Sequence, residues 1–302
     1  MNKSIDLSLI AYTCENTFSQ EIFEELINKI LSMVNYPIVP LMHCFDHFIE
    51  QLIRQGVLDA FNIIVSTKKY FLRKISVSLP EYDIGALYFR SRGISHRGAI
   101  IPGPIYFAKR IYDGETLFID KPEETIDTIG YIVSRIIMSL SSLGYNNIVI
   151  VEPELHELFL ERKRVWNLSQ LQRLYNQIIS WSDAEMYGLV ICDKIEPTVL
   201  GALFHTKIDY IAFNPFVYTV QEINTITSHL TTSTSQLALL AIDPSMAYNI
   251  NDLVKYIRPI VNKTLMILNT CNTWSKLFEN NYIDTLYKHG LKFQRLLFKL
   301  LK

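Results

Sequence analysis

The sequence predicts an α/β protein built as a (β/α)8 barrel, with an inserted hairpin or excursion after its second βα unit. Three observations carry this expectation. Eight short apolar runs, often β-branched, recur along the 302 residues; helical patterns stand between most of them; and no Gly/Ser linker, low-complexity run or fixed-period repeat divides the chain. Strands covered on both faces read as continuous apolar runs, and their alternation with helices gives a parallel sheet. An open doubly wound sheet fits the same pattern and is the alternative architecture. Residues 1–302 are expected to form a single domain.

Taken in order, the strand candidates are Leu7–Tyr12, Ile38–His43, Gly98–Ile101, Ile148–Val151, Leu189–Cys192, Tyr210–Phe213, Leu237–Ile242 and Thr264–Leu268. The first helix, Ser19–Val34, carries Phe23, Leu26, Ile27 and Ile30 on one face, with Glu and Lys opposite. Phe45–Gln55 follows and is closed by Gly56, a residue suited to a left-handed cap. The stretch Gly56–Arg97 breaks the rhythm and is the excursion. Pro122–Leu143 opens with proline in its first turn, has Glu123 and Glu124 at its positive end, and closes on Gly144. Leu168–Ser182, Pro197–Phe204, Val220–Leu230, Ile250–Val261 and Trp274–Lys302 complete the series.

Composition excludes several classes of function. At 49% hydrophobic, 20% charged and 12% aromatic residues, the chain has the means to bury a core and is not a disordered segment. Lys and Arg (29) balance Asp and Glu (30), so no whole-chain field draws a phosphate backbone, and no nucleic-acid recognition motif is present. The clusters Arg162-Lys163-Arg164 and Lys292 to Lys302 read as solvated helix faces. Neither dinucleotide nor P-loop glycine patterns occur. The apolar stretch near Met1 is too short for a secretory signal, and no run of ~18 apolar residues predicts a membrane span. Four cysteines at 14, 44, 192 and 271 form no CxxC pair, which leads to an expectation of reduced thiols in a cytoplasmic protein.

In a barrel of this class, chemistry gathers at the C-terminal ends of strands. All four cysteines fall at or just after the ends of strand candidates there. His43 beside Cys44 is not expected to be a nucleophile–base pair, since neighbours on a strand face opposite sides. Glu152 ends an apolar strand, where a carboxylate must be solvated or paired. It fits either a grip on the ammonium group of a ligand or a structural ion pair with a base such as Arg164. Asp243, after Leu237–Ile242, has the same two readings.

The block Ile101-Pro102-Gly103-Pro104-Ile105, then Leu143-Gly144-Tyr145, then Ile148-Val149-Ile150-Val151-Glu152-Pro153-Glu154-Leu155 resembles the barrel of cobalamin-independent methionine synthase. That family has a Gly-Pro turn, a long helix, a Leu..Gly pair and a strand ending in Asp-Glu-Pro. A weaker correspondence continues through Tyr187–Cys192 at the family's His-x-Cys strand, then Asp209–Pro215, Leu240–Ser245 and Asn269–Lys276. The wider relatives are uroporphyrinogen-decarboxylase-like barrels and corrinoid methyltransferases.

The resemblance implies a zinc-dependent methyl transfer to homocysteine, and several residues depart from what that needs. The His-x-Cys position reads Val190-Ile191-Cys192, and the glutamate ligand position reads Asn214. Cys192 and Cys271 are the residual metal ligands the resemblance leaves. Val151 stands where the family has the aspartate of Asp-Glu-Pro, while Glu152 keeps the glutamate. The expectation is therefore a methionine-synthase-like barrel with a degraded zinc site and no cofactor, non-catalytic or accessory in methyl transfer. Glu152, Asn214 and Asp243 are its candidate contacts to a small molecule at the barrel mouth. Its partner would be an active methionine synthase catalytic subunit; neither nucleic acid nor membrane is expected. The alternative is a divergent methyltransferase, or another one-carbon enzyme, with a changed ligand set.

Overall fold

The computed structural model describes residues 7–9, 12–15, 18–58, 75–111, 122–158, 167–230, 236–240 and 264–268, together with Lys288, Leu291 and Arg295. Nine short strands are present among them: β1 Leu7–Leu9, β2 Tyr12–Glu15, β3 Leu41–His43, β4 Gly98–Pro102, β5 Asn147–Glu152, β6 Met186–Ile191, β7 Tyr210–Phe213, β8 Gln236–Leu240 and β9 Thr264–Leu268. The helices are α1 Gln20–Met33, α2 Asp46–Arg54, α3 Pro80–Ser91, α4 Pro104–Ile111, α5 Pro122–Ser142, α6 Leu168–Ser180, α7 Pro197–Leu203 and α8 Val220–Leu230. Short 3-10 turns at Leu155–Leu158 and Pro215–Val217 follow β5 and β7.

The fold is α/β with a parallel sheet. Seven strands pair in the order β1-β9-β8-β7-β6-β5-β4, and β2 pairs with β3. Every pairing is parallel. An isolated parallel bridge, Ile38 to Gly98, ties the segment before β3 to β4. Among the described residues, α4 to α8 supply the crossovers that parallel pairing requires from β4 to β8.

Local chemistry explains most element ends. Ser19 caps α1 by accepting the Ile22 N–H, and the buried Phe23, Leu26, Ile27 and Ile30 turn one face of the helix inward. Asn167 and Gln170 form a reciprocal capping box at the start of α6. Gly56 and Gly144 take positive φ (65° and 97°) after α2 and α5, as the sequence predicts.

Three expectations change. The run Leu7–Tyr12 yields two strands, β1 and β2, instead of one. The run Ile38–His43 is a strand only over its last three residues, because Pro37 and Pro40 lack the N–H that a ladder needs. In the excursion Gly56–Arg97, the described residues hold helix α3, which the sequence pattern does not place there. Residues 59–74 of that stretch lie outside the described set, as do the helix expected at 250–261 and most of 274–302.

Register separates the two faces of the sheet. Val151 pairs with Val190 and Val190 with Ala212, so these three share one face. Ile148, Ile150 and Glu152 take the other, which meets α6 through Tyr175. On the first face, Tyr210 lies across Gly188 to donate its hydroxyl to Asn147 Oδ1 at 3.1 Å. A Cβ on Gly188 would sit 2.2 Å from Tyr210 Cζ, so only glycine admits this ring. Gly188→Ala should therefore destabilise the protein by ~1–3 kcal/mol in a urea melt, and a Tyr210→Ala background should remove most of that penalty.

Candidate functional site

Because the sheet is parallel, the residues that follow its strands collect at one end. The structure brings Pro153 and Glu154 after β5, Cys192 and Asp193 after β6, and Asn214 after β7 to this C-terminal end. Cys44, after β3, stands at the corresponding end of the β2–β3 pair. Asp243 and Cys271 lie outside the described residues, as does Arg164.

Glu152 is fully buried, and of its two readings the geometry carries the structural one, with partners other than a base. Its Oε1 accepts the Ile105 N–H at 3.1 Å and the Tyr175 hydroxyl at 2.8 Å, and the Tyr106 N–H also bonds the carboxyl. Ile105 and Tyr106 lie in the first turn of α4, so Glu152 satisfies backbone donors that the helix itself leaves open. Gly103 makes this possible, because a Cβ there would lie 2.1 Å from Glu152 Cδ. Among the described residues, Oε2 is buried without a hydrogen-bond partner. Desolvation dominates over the three donors and pushes the carboxyl up to about 8. A group so placed braces β5, α4 and α6.

The opposite face is apolar at this level. Val151 and Val190 are side by side and buried, with Ala212 next to Val190. Asn214 is partly buried and turns its side-chain oxygen to the Phe216 N–H at 3.0 Å, capping the 3-10 turn after β7. Cys192 is disulfide-bonded, and so is Cys44. The expectation of reduced thiols is thus corrected at both described cysteines, and Cys192 presents no thiolate to a metal in this state. Among the described residues, no group of three or more His, Cys, Asp or Glu is arranged to hold a metal ion.

The rim carries two polar clusters. At β3, His43 Nδ1 donates to both oxygens of Glu81 at 2.8 Å. Glu81, in the first turn of α3, has no exposed surface, and its Oε1 also accepts the Met42 and His43 backbone N–H groups at 3.2 and 3.1 Å. The Glu81 hydrogen bond raises the His43 pKa above its ordinary value against the effect of desolvation. The Phe18 ring stacks beside His43 and the His47 ring meets it edge-on at 4.7 Å. Second, Arg110 forms a two-point pair with Glu154 at 2.9 and 3.0 Å, reaches Asp46 at 3.2 Å, and lies over the Tyr106 ring at 3.6 Å. Tyr106 donates its hydroxyl to Asp46. Burial pushes the Glu154 carboxyl up, but Arg110 and Lys109 outweigh it and hold it below its ordinary value. Farther along, His156 Nδ1 stands 3.0 Å from Asp193 Oδ2.

Sequence reasoning missed Glu81, Tyr175 and Arg110. Leu79-Pro80-Glu81 does carry a helix-start signal, proline followed by an acidic residue. Nothing in the sequence couples it to His43, 38 positions away.

No protein-family model and no curated protein sequence matches the chain. Solved structures do. A B12-independent methionine synthase from Shewanella, in complex with selenomethionine, superposes with a TM-score of 0.64 at 13% identity, over 98% of this chain and 99% of that one. A methyltransferase from Methanosarcina mazei gives 0.60 at 11% identity, over 96% and 94%. The likeness is one of fold. No helix among the described residues is long and apolar enough to cross a membrane.

The state of Glu152 can be read from stability against pH. Its folded pKa of about 8 lies above the unfolded value near 4.5, so the folded state binds the proton more tightly. Its contribution is fully present below about pH 4.5 and is lost as pH rises to about 8, at up to ~1.4 kcal/mol per pH unit. Glu152→Gln should flatten this part of the stability profile between pH 5 and 8 in chemical denaturation. An unchanged slope would show that Glu152 is not the titrating group.

Proposed function

We propose that this chain is a closed (β/α)8 barrel of the methionine-synthase type, one domain over 1–302. It serves methyl transfer in the cytoplasm as a non-catalytic or accessory protein. Its mouth takes a small molecule, or its surface meets an active methionine synthase subunit. Two solved structures of methyl-transfer proteins with this fold, and the bridge from Ile38 to Gly98 beside the seven-stranded sheet, support the closed barrel.

The observation that carries the non-catalytic reading is the pairing of Val151 with Val190. The resemblance puts the family's aspartate and zinc-binding histidine at these two positions, and both are aliphatic and buried here. The other described donors do not fit a zinc ion either. Cys192 is in a disulfide, and the Asn214 oxygen is engaged by the Phe216 N–H. An aliphatic side chain has no donor atom, and a catalytic zinc ordinarily keeps three protein ligands. Asp243 and Asn214 stay in this reading as contacts to a ligand, with Asn214 released from its cap when one binds.

Without metal activation, homocysteine near neutral pH is mostly thiol, since an unperturbed thiol has a pKa of ~8.5. The chain alone should form no methionine from homocysteine and a methyl-folate, and should carry well under one zinc per chain as isolated. Adding it to the active barrel from the same organism should raise that enzyme's turnover or its affinity for the methyl donor. Methionine formation is measured with the chain, the enzyme, and both. Activity of the chain alone would favour a divergent methyltransferase, and identical rates with and without it would remove the accessory role.

A further inference from the structure

We propose that the first turn of α3 is a removable wedge in the sheet. While His43 carries a proton, Glu81 and Tyr82 hold β3 and β4 apart; when His43 loses it, the wedge withdraws and the two strands pair toward their C-terminal ends. This rests on the fold and does not depend on the methyl-transfer reading.

The pairing of these strands starts and then stops. Gly98 donates its N–H to the Pro37 carbonyl at 2.9 Å and accepts the Val39 N–H at 2.8 Å, on either side of the bridge from Ile38. Beyond that bridge, β3 and β4 belong to different sheets. A parallel ladder advances two residues on each strand per bonded step. Continued in this register, it would bring the Leu41 N–H to the Ile100 carbonyl and the His43 N–H to the Pro102 carbonyl. Side chains of α3 take two of these four groups instead. The Ile100 carbonyl accepts the Tyr82 hydroxyl, and the His43 N–H goes to Glu81 Oε1 at 3.1 Å. A hydroxyl stands in for a backbone donor and a carboxylate for a backbone acceptor, on adjacent residues of one helix.

The wedge is seated closely. One turn along α3, a Cβ on Gly85 would sit 2.4 Å from Val39 Cγ2, and Tyr145 donates its hydroxyl to the Tyr82 carbonyl at 2.7 Å. Glu81 has no exposed surface, and among the described residues protonated His43 is the one cation that reaches it. A neutral imidazole still donates its Nδ1–H to the carboxylate but no longer offsets the charge. A buried carboxylate that loses its cation bears an uncompensated desolvation cost, whereas a backbone ladder between β3 and β4 needs no charge.

The groups around His43 favour its proton. Glu81 bonds it from α3 and Glu50 acts from α2. Asp46 opens α2, His47 in the same turn meets the His43 ring edge-on, and Glu15 is the register partner of His43 on β2. Phe18, before α1, stacks on the ring, while Glu24 of α1 is turned to Gln20 and Tyr88. Asp83 of α3 acts on Tyr145. With α3 docked, the Glu81 hydrogen bond raises the His43 pKa above its ordinary 6.5. The hold is therefore complete below about pH 6.5 and is lost as pH rises through the raised value.

Hydrogen exchange of the intact protein is followed by NMR against pH, and the titration of His43 is read from its ring signals. After correction for intrinsic exchange, protection of the α3 amides should fall about 10-fold or more between about pH 6 and 9, with the midpoint of His43, while α6 keeps its protection. The His43 amide should stay protected throughout, because it passes from Glu81 to the Pro102 carbonyl. His43→Gln should leave α3 at the low protection at every pH. Glu81→Gln, whose carboxamide needs no cation, should make α3 independent of pH. Protection of α3 that does not change with pH in the unaltered protein would overturn the proposal without recourse to any variant. So would a His43 amide that opens in step with α3, or a His43→Gln protein, folded by circular dichroism, whose α3 keeps the unaltered pH dependence.

Discussion

A carboxyl with no exposed surface, Glu152, is where β5, the first turn of α4 and the middle of α6 meet. Ile105 and Tyr106 bring helix N–H groups that have no partner within α4, and Tyr175 brings a hydroxyl that could not otherwise be buried. Gly103 gives up a side chain so that the backbone can pass against the carboxyl. Among the described residues no cation accompanies the group, and so burial is compatible with this site mainly in its protonated form. The ends of β4 and β5 are thereby fixed relative to two helices, and the rim residues that follow them inherit that placement.

The rim is held by different means. Arg110 connects α4 to Glu154 beyond β5 and to Asp46 at the start of α2, with Tyr106 under its guanidinium. Planar two-point pairing suits a half-exposed site, because geometry is retained where solvent weakens the charge attraction. The Glu81–His43 contact joins α3 to the edge strand β3. Each brace is a polar contact between residues that follow or face different strands. Val151 and Val190, paired in register and buried, bring no polar atom to this end of the sheet.

Much of the fold is legible in the sequence because it rests on local rules. The apolar runs at Gly98–Ile101, Ile148–Val151 and Tyr210–Phe213 all fall in strands, and Gly56 and Gly144 end helices as their conformational freedom suggests. Boundaries fail where proline removes a ladder donor, at Pro37 and Pro40, or where glycine conceals a strand, at Gly188. The site is less legible. That a carboxylate closing an apolar strand needs a partner follows from desolvation alone, and Glu152 is found by it. Which partner it takes depends on the packing of α4 and α6, which periodicity does not supply. Oxidation state is not written in spacing either, since cysteines at 44 and 192 give no sign of which sulfurs lie within bonding distance.

Glu81 has a consequence for the excursion that carries it. Its carboxylate is shared between two backbone N–H groups of β3 and the imidazole of His43, so α3 is seated on the sheet edge by the same contact that sets the histidine's proton affinity. A displacement of α3 by a few tenths of an ångström lengthens all of these bonds together. The basicity of one rim side chain is therefore a gauge of how firmly α3 is docked. Substitutions on the face of α3 that packs against the sheet can retune that side chain without touching it.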